Sequence, residues 1–107
     1  MENIEELLSV IINNDKNEFE NFINDMYPID VAILLDTLDD ENLLKFYKLA
    51  EDEHIAEFLE QANEEFQIRF LKLLDLKEII KLFSYMSNDD KADILGNLPI
   101  SDEKRFA

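Results

Sequence analysis

Carboxylates are the one reactive group this chain holds in quantity, with 26 Asp and Glu against 10 Lys and Arg and a single His. The densest run is Met86-Ser87-Asn88-Asp89-Asp90-Lys91-Ala92-Asp93-Ile94-Leu95. Asp89 and Asp93 are four apart, so they share one face of a helix that Ser87 would cap. Like charges at that spacing cost only a few tenths of a kcal/mol. An unneutralised pair on a solvated face is therefore one reading. The other is a hard divalent cation, because magnesium takes oxygen ligands, keeps several waters and uses one or two carboxylates. One face of one helix would bind weakly, and a tighter site needs oxygens from a second surface, in this chain or on a partner.

Other chemistries have little to work with. His54 lies among Glu51, Asp52, Glu53 and Glu57 near a helix start and reads as an exposed surface histidine. With no cysteine and one histidine, zinc motifs of the Cys/His and HExxH types are excluded by count. The Asp36-to-Glu41 acidic cluster lacks the glycine that an EF-hand loop needs at its bend. Nothing resembles a Gly-rich phosphate loop. Paired carboxylates serve glycosidases, but among so many acids some pairs are inevitable. The reading is not an enzyme.

Charge and composition limit the partners. A net charge of −16 repels nucleic-acid phosphates and anionic membrane surfaces alike. Hydrophobic content of 47% with eight Phe argues for a packed core rather than disorder. The 107 residues suit one domain, the absence of cysteine fits a reducing cytosol, and the acidic start Met1-Glu2-Asn3-Ile4-Glu5-Glu6 is unlike a secretory signal. No apolar run approaches the roughly 18–20 residues that cross a bilayer.

The elements that must position these acids follow a fixed beat. Leu38, Ala50, Ala62, Leu74, Met86 and Leu98 fall twelve residues apart without insertion, the mark of stacked like units. Counting each as the twelfth place, apolar residues recur at the sixth (Ala32, Leu44, Ala56, Ile68, Ile80, Ala92), the eighth (Leu34, Phe46, Phe58, Phe70, Leu82, Ile94) and the ninth (Leu35, Tyr47, Leu59, Leu71, Phe83, Leu95). This is a broad helical face, not the alternation of a strand. Asp39, Asn63, Asp75 and Ser87 read as N-caps, acids follow several of them, and Pro28 reads as a first-turn proline. Upstream, Ile4 to Ile12 and Phe19 to Met26 read as two more helices joined around Asn13-Asn14-Asp15. Helices this short are marginal alone and must bury their faces on neighbours. The expectation is an all-α, solenoid-like superhelix of about eight short helices. After Leu98-Pro99, Ser101-Asp102-Glu103 would start another helix, so the repeat reads as cut mid-unit and the chain as a piece of a longer protein. The beat also aligns acids: Glu57 holds the seventh place of its unit, as Asp93 does three units later. Equal phase implies a shared surface only if the superhelical turn brings them round, and spacing leaves that open.

The run Tyr27-Pro28-Ile29-Asp30-Val31-Ala32-Ile33-Leu34-Leu35, the segment Ile55-Ala56-Glu57-Phe58-Leu59, and Met86 through Pro99 together resemble the intracellular N-terminal domain of the MgtE magnesium transporters. The resemblance covers about residues 2 to 99, ungapped through the repeats at about 27–99. That family typically writes His-Pro-x-Asp-x-Ala at the opening, where this chain has Tyr27, and Met/Leu-x-x-Asp-Asp-x-Ala-Asp-x-Leu before a closing Leu-Pro. The resemblance implies a right-handed superhelix, followed in the full protein by CBS domains, a connecting helix and a dimeric transmembrane pore, none of which lies in this chain. It implies that magnesium held between the superhelix and the CBS domains keeps the pore closed. It aligns the family's N-domain ligands with Glu57, Asp89 and Asp93, with Asp90 as a neighbour.

The functional expectation is a non-enzymatic cytosolic domain, 1–107, that senses magnesium and gates an MgtE-like transporter at the bacterial inner membrane. Its partners would be the CBS domains and the transporter homodimer. Magnesium binding by the isolated chain would be weak, on the order of millimolar or worse, since few protein oxygens converge. The rival expectation is a helical-repeat interaction scaffold with no metal role, such as the flagellar motor switch proteins.

Overall fold

The computed structural model describes residues 2–97, and among them there are eight α-helices and no strand. The helices are α1 (Glu2–Asn13), α2 (Lys16–Asn24), α3 (Pro28–Leu35), α4 (Asp40–Leu49), α5 (Asp52–Gln61), α6 (Glu64–Lys72), α7 (Leu76–Phe83) and α8 (Asn88–Asn97). Leu98, Pro99 and the helix start expected at Ser101 lie outside the described residues.

Caps set the boundaries as the twelve-residue beat requires. The carboxylate of Asp39 accepts the Asn42 N–H at 2.9 Å, and the Asn63 side chain accepts the Phe66 N–H at 2.8 Å. Asp75 and Glu78 form a reciprocal capping box, 2.8 and 2.9 Å. Ser87 Oγ accepts the Asp90 N–H at 3.1 Å. Pro28 occupies the first turn of α3, where its missing N–H is not needed. Between α1 and α2, Asn14 takes a positive φ of 54°, which Asn tolerates, and Asp15 caps α2. Met26, expected inside the second helix, lies just past the end of α2.

The helices stack in two alternating layers. α3 packs on α5 and α5 on α7, while α6 packs on α8; the α1–α2 hairpin closes one end, with α1 against α4. The result is a rod-like body of 39 × 24 × 23 Å. Phe19, Phe46 and Phe58 run through its middle, with ring centroids 5.0 and 6.0 Å apart.

Burial corrects one part of the repeat pattern. The fifth place is also buried, at Val31, Leu43, Ile55, Gln67 and Ile79. With the eighth, ninth and twelfth it makes the spacing i, i+3, i+4, i+7, the narrow stripe of a core-facing helix. The sixth place only flanks that stripe: Ala32 and Ala56 are buried, Leu44 and Ile68 half-buried, and Ile80 is 59% exposed. The fifth place is hard to see in sequence because Gln67 and Lys91 interrupt it. Gln67 is 8% exposed, and its amide Nε2 donates to the Leu59 carbonyl at 2.8 Å, so a polar side chain sits in the core with its hydrogen bond made.

Ion pairs and hydrogen bonds then fasten the layers. Arg69 in α6 reaches back about thirty residues, donating Nε to Asp40 Oδ1 at 3.1 Å and Nη2 to the Leu38 carbonyl. Lys81 in α7 meets the largely buried Asp52 of α5 at 3.0 Å, and Lys16 in α2 meets Glu51 at 2.6 Å.

Candidate acidic site on helices α5 and α8

Glu57 projects from α5, and Asp89 and Asp93 from α8; all three are exposed. Asp90 is half-buried and partly committed to its own helix: its Oδ2 accepts the Ser87 hydroxyl at 3.0 Å. The helix N-terminus and the cap favour negative charge at Asp89 and Asp90 before any ligand is considered. Because α5 contacts α3 and α7 while α8 contacts α6, Glu57 and Asp93 stand on helices of different layers, as a three-unit offset gives in a two-layer stack. Equal phase in the repeat therefore does not mean equal layer.

The two helices nevertheless meet through another pair. The pKa of the Glu60 carboxyl, in the last turn of α5, is raised above the usual carboxylate range. Burial is the main cause, followed by the charge of Asp90, a hydrogen bond with Asp90, and the charge of Glu57. Asp90 and Glu57 thus both bear on Glu60, and Asp89 and, one turn on, Asp93 follow along α8. Sequence reasoning missed Glu60. The available signal was its place three residues after Glu57 on the same helix face. The repeat ruler could not flag its meeting with Asp90, since they occupy the tenth and fourth places of their units.

Hard carboxylate oxygens suit magnesium or calcium. Among the described residues, however, no three Asp, Glu or His side chains converge closely enough to hold a metal ion on their own. Among the described residues these carboxylates lie on a surface and enclose no cage.

His54 departs from expectation. Its side chain is 34% exposed rather than free in solvent, with Nδ1 3.7 Å from Glu20 Oε2 and its ring 6.3 Å from that of Phe58. It belongs to the junction of α2 and α5. Among the described residues no helix is long and apolar enough to cross a membrane.

Fold and surface together define a helical-stack domain whose exposed chemistry is carboxylate oxygen. The MgtE intracellular N domain matches residues 26–107, most of the chain, and the chain belongs to that family. Among solved structures, the crystal structure of the soluble part of a magnesium transporter superposes with a TM-score of 0.87 at 18% identity, a likeness of fold. That superposition covers 98% of this chain and 42% of the other. No curated protein matches the sequence.

Proposed function

We propose that this domain is the magnesium-sensing regulatory part of an MgtE-like transporter or channel, on the cytosolic side of the membrane. Glu57, Asp89 and Asp93, with Asp90 beside them, would supply half of a cation site, and CBS domains of the same transporter would supply the rest. The single observation that carries this reading is the match of the chain to the MgtE intracellular N domain, in which Glu57, Asp89 and Asp93 stand exposed. Such a surface repels a second acidic surface until cations stand between them. Docking would then be cation-dependent, and loss of magnesium would release the domain. The transporter homodimer is the assembly in which that release would gate the pore.

The test is a magnesium titration of the domain followed by amide NMR. Asp89, Asp93 and Glu57 shift first, with an apparent Kd on the order of millimolar, as few protein oxygens imply. Small uniform shifts over all acidic residues would defeat the assignment and favour a scaffold without a metal role.

A further inference from the structure

The opposite end of the stack carries a different surface. Between α1, α2 and the start of α3 lies an open groove of about 750 Å³. Val10, Phe22, Met26 and Leu34 form its apolar floor, while Tyr27 and Ile33 stand at its rim, 76% and 62% exposed. Glu6, Glu18, Asp25 and Asp30 also line it, and no Lys, Arg or His is among the lining residues. Each helix contributes residues three or four apart: Glu6 and Val10 from α1, Glu18 and Phe22 from α2, Asp30, Ile33 and Leu34 from α3. Three helix faces thus converge on a trough with a wet, negative edge and an apolar bottom. Most of the groove is built from residues before the family match begins at 26.

We propose that this groove docks a cationic amphipathic helix of a protein partner. An apolar stripe at i, i+3, i+4, i+7 would cover the floor, and Lys or Arg beside the stripe would meet the four carboxylates. The walls are helices whose backbone groups are already paired, so an added strand would find no edge to extend. An anionic membrane is repelled by the same carboxylates, and a second copy would bring its own large negative charge to the contact. The proposal does not depend on the magnesium reading, since the groove and the α5–α8 carboxyls share no residue.

The probe is a synthetic Leu/Lys helix of about four turns, titrated into the domain in magnesium-free buffer containing EDTA, against a scrambled peptide of the same composition and charge. Calorimetry shows saturable binding of the amphipathic peptide, and amide shifts concentrate at Val10, Phe22, Met26 and Ile33. Ile33→Ser and the double change Asp25→Asn/Asp30→Asn each weaken it by roughly five- to tenfold, the scale of one lost apolar contact or two partly exposed ion pairs. Glu64→Gln/Glu65→Gln, an equal charge change elsewhere, leaves the affinity within about twofold. Equal binding of the scrambled peptide, shifts centred on α5 and α8, or no loss on Ile33→Ser would overturn the proposal. So would sedimentation of the free domain as a dimer that Ile33→Ser dissociates, which would assign the groove to a second copy.

Discussion

Glu60→Gln separates two effects of its carboxyl, an electrostatic cost to the free domain and the proposed attraction of a cation. Its raised pKa has burial as the first cause and the Asp90 and Glu57 carboxylates after it. A group whose folded pKa lies above its unfolded value contributes stability below the unfolded pKa and loses it as pH rises through the folded pKa. Above its folded pKa the ionised Glu60 is therefore a small net cost to the fold. Each like-charge contact is worth a few tenths of a kcal/mol, and partial exposure screens both. Removing the charge should stabilise the metal-free domain by about 0.5 kcal/mol, which raises Tm by roughly 2–4 °C for a domain of this size. Magnesium would stabilise the wild type more than the variant. With a Kd near 1 mM, 10 mM magnesium stabilises the wild type by about 1.4 kcal/mol through mass action. Gln at position 60 removes part of the negative field and shrinks that increment. The assay is thermal unfolding by circular dichroism with and without magnesium, against potassium chloride of equal ionic strength, because a net charge of −16 responds to salt alone. A metal-free Glu60→Gln that melts below the wild type refutes the electrostatic reasoning. An unchanged magnesium increment removes Glu60 from the cation surface.

Two other perturbations probe the stack that holds this surface. Gln67→Ala removes a buried hydrogen bond and leaves a void, costing about 2 kcal/mol. Gln67→Met fills the space and costs about 1 kcal/mol or less, because the Leu59 carbonyl still accepts the Ala62 N–H at 3.2 Å; urea unfolding that ranks Met below Ala would contradict this account. The Tyr47 phenol is pushed up to about 12, chiefly by burial and then by the carboxylates of Glu78, Asp52 and Asp75. Its contribution to stability is lost as pH rises through that value, so ultraviolet titration shows a tyrosine ionising near pH 12 that Tyr47→Phe abolishes.

Much of the architecture was legible because each unit carries its own start signal and apolar stripe. Asp39, Asn63, Asp75 and Ser87 act as the caps their side chains and positions suggested. Local hydrogen bonds over three residues need no tertiary context, which is why they can be read from a string of letters. The core stripe was less legible. Gln67 in the fifth place hides a buried position behind a polar side chain, and only its bond to the Leu59 carbonyl shows why the core accepts it. Ile80, apolar in the string, is exposed because the sixth place lies at the flank of the stripe.

The candidate site divides the same way. Asp89, Asp93 and Glu57 stood out by spacing and resemblance, and the structure leaves all three exposed. Glu60 stayed hidden because its partner lies thirty residues away on the next layer, where repeat phase carries no information. By itself the sequence determined where helices begin, which residues are apolar every turn, and that the surface is crowded with carboxylate oxygen. Those depend on neighbours a few residues away. Only the tertiary structure decided that α5 and α8 belong to different layers yet meet at Glu60 and Asp90, and that α1, α2 and α3 leave an acidic groove between them. Distances between side chains on separate helices depend on how the helices stack, and short-range spacing does not carry that geometry.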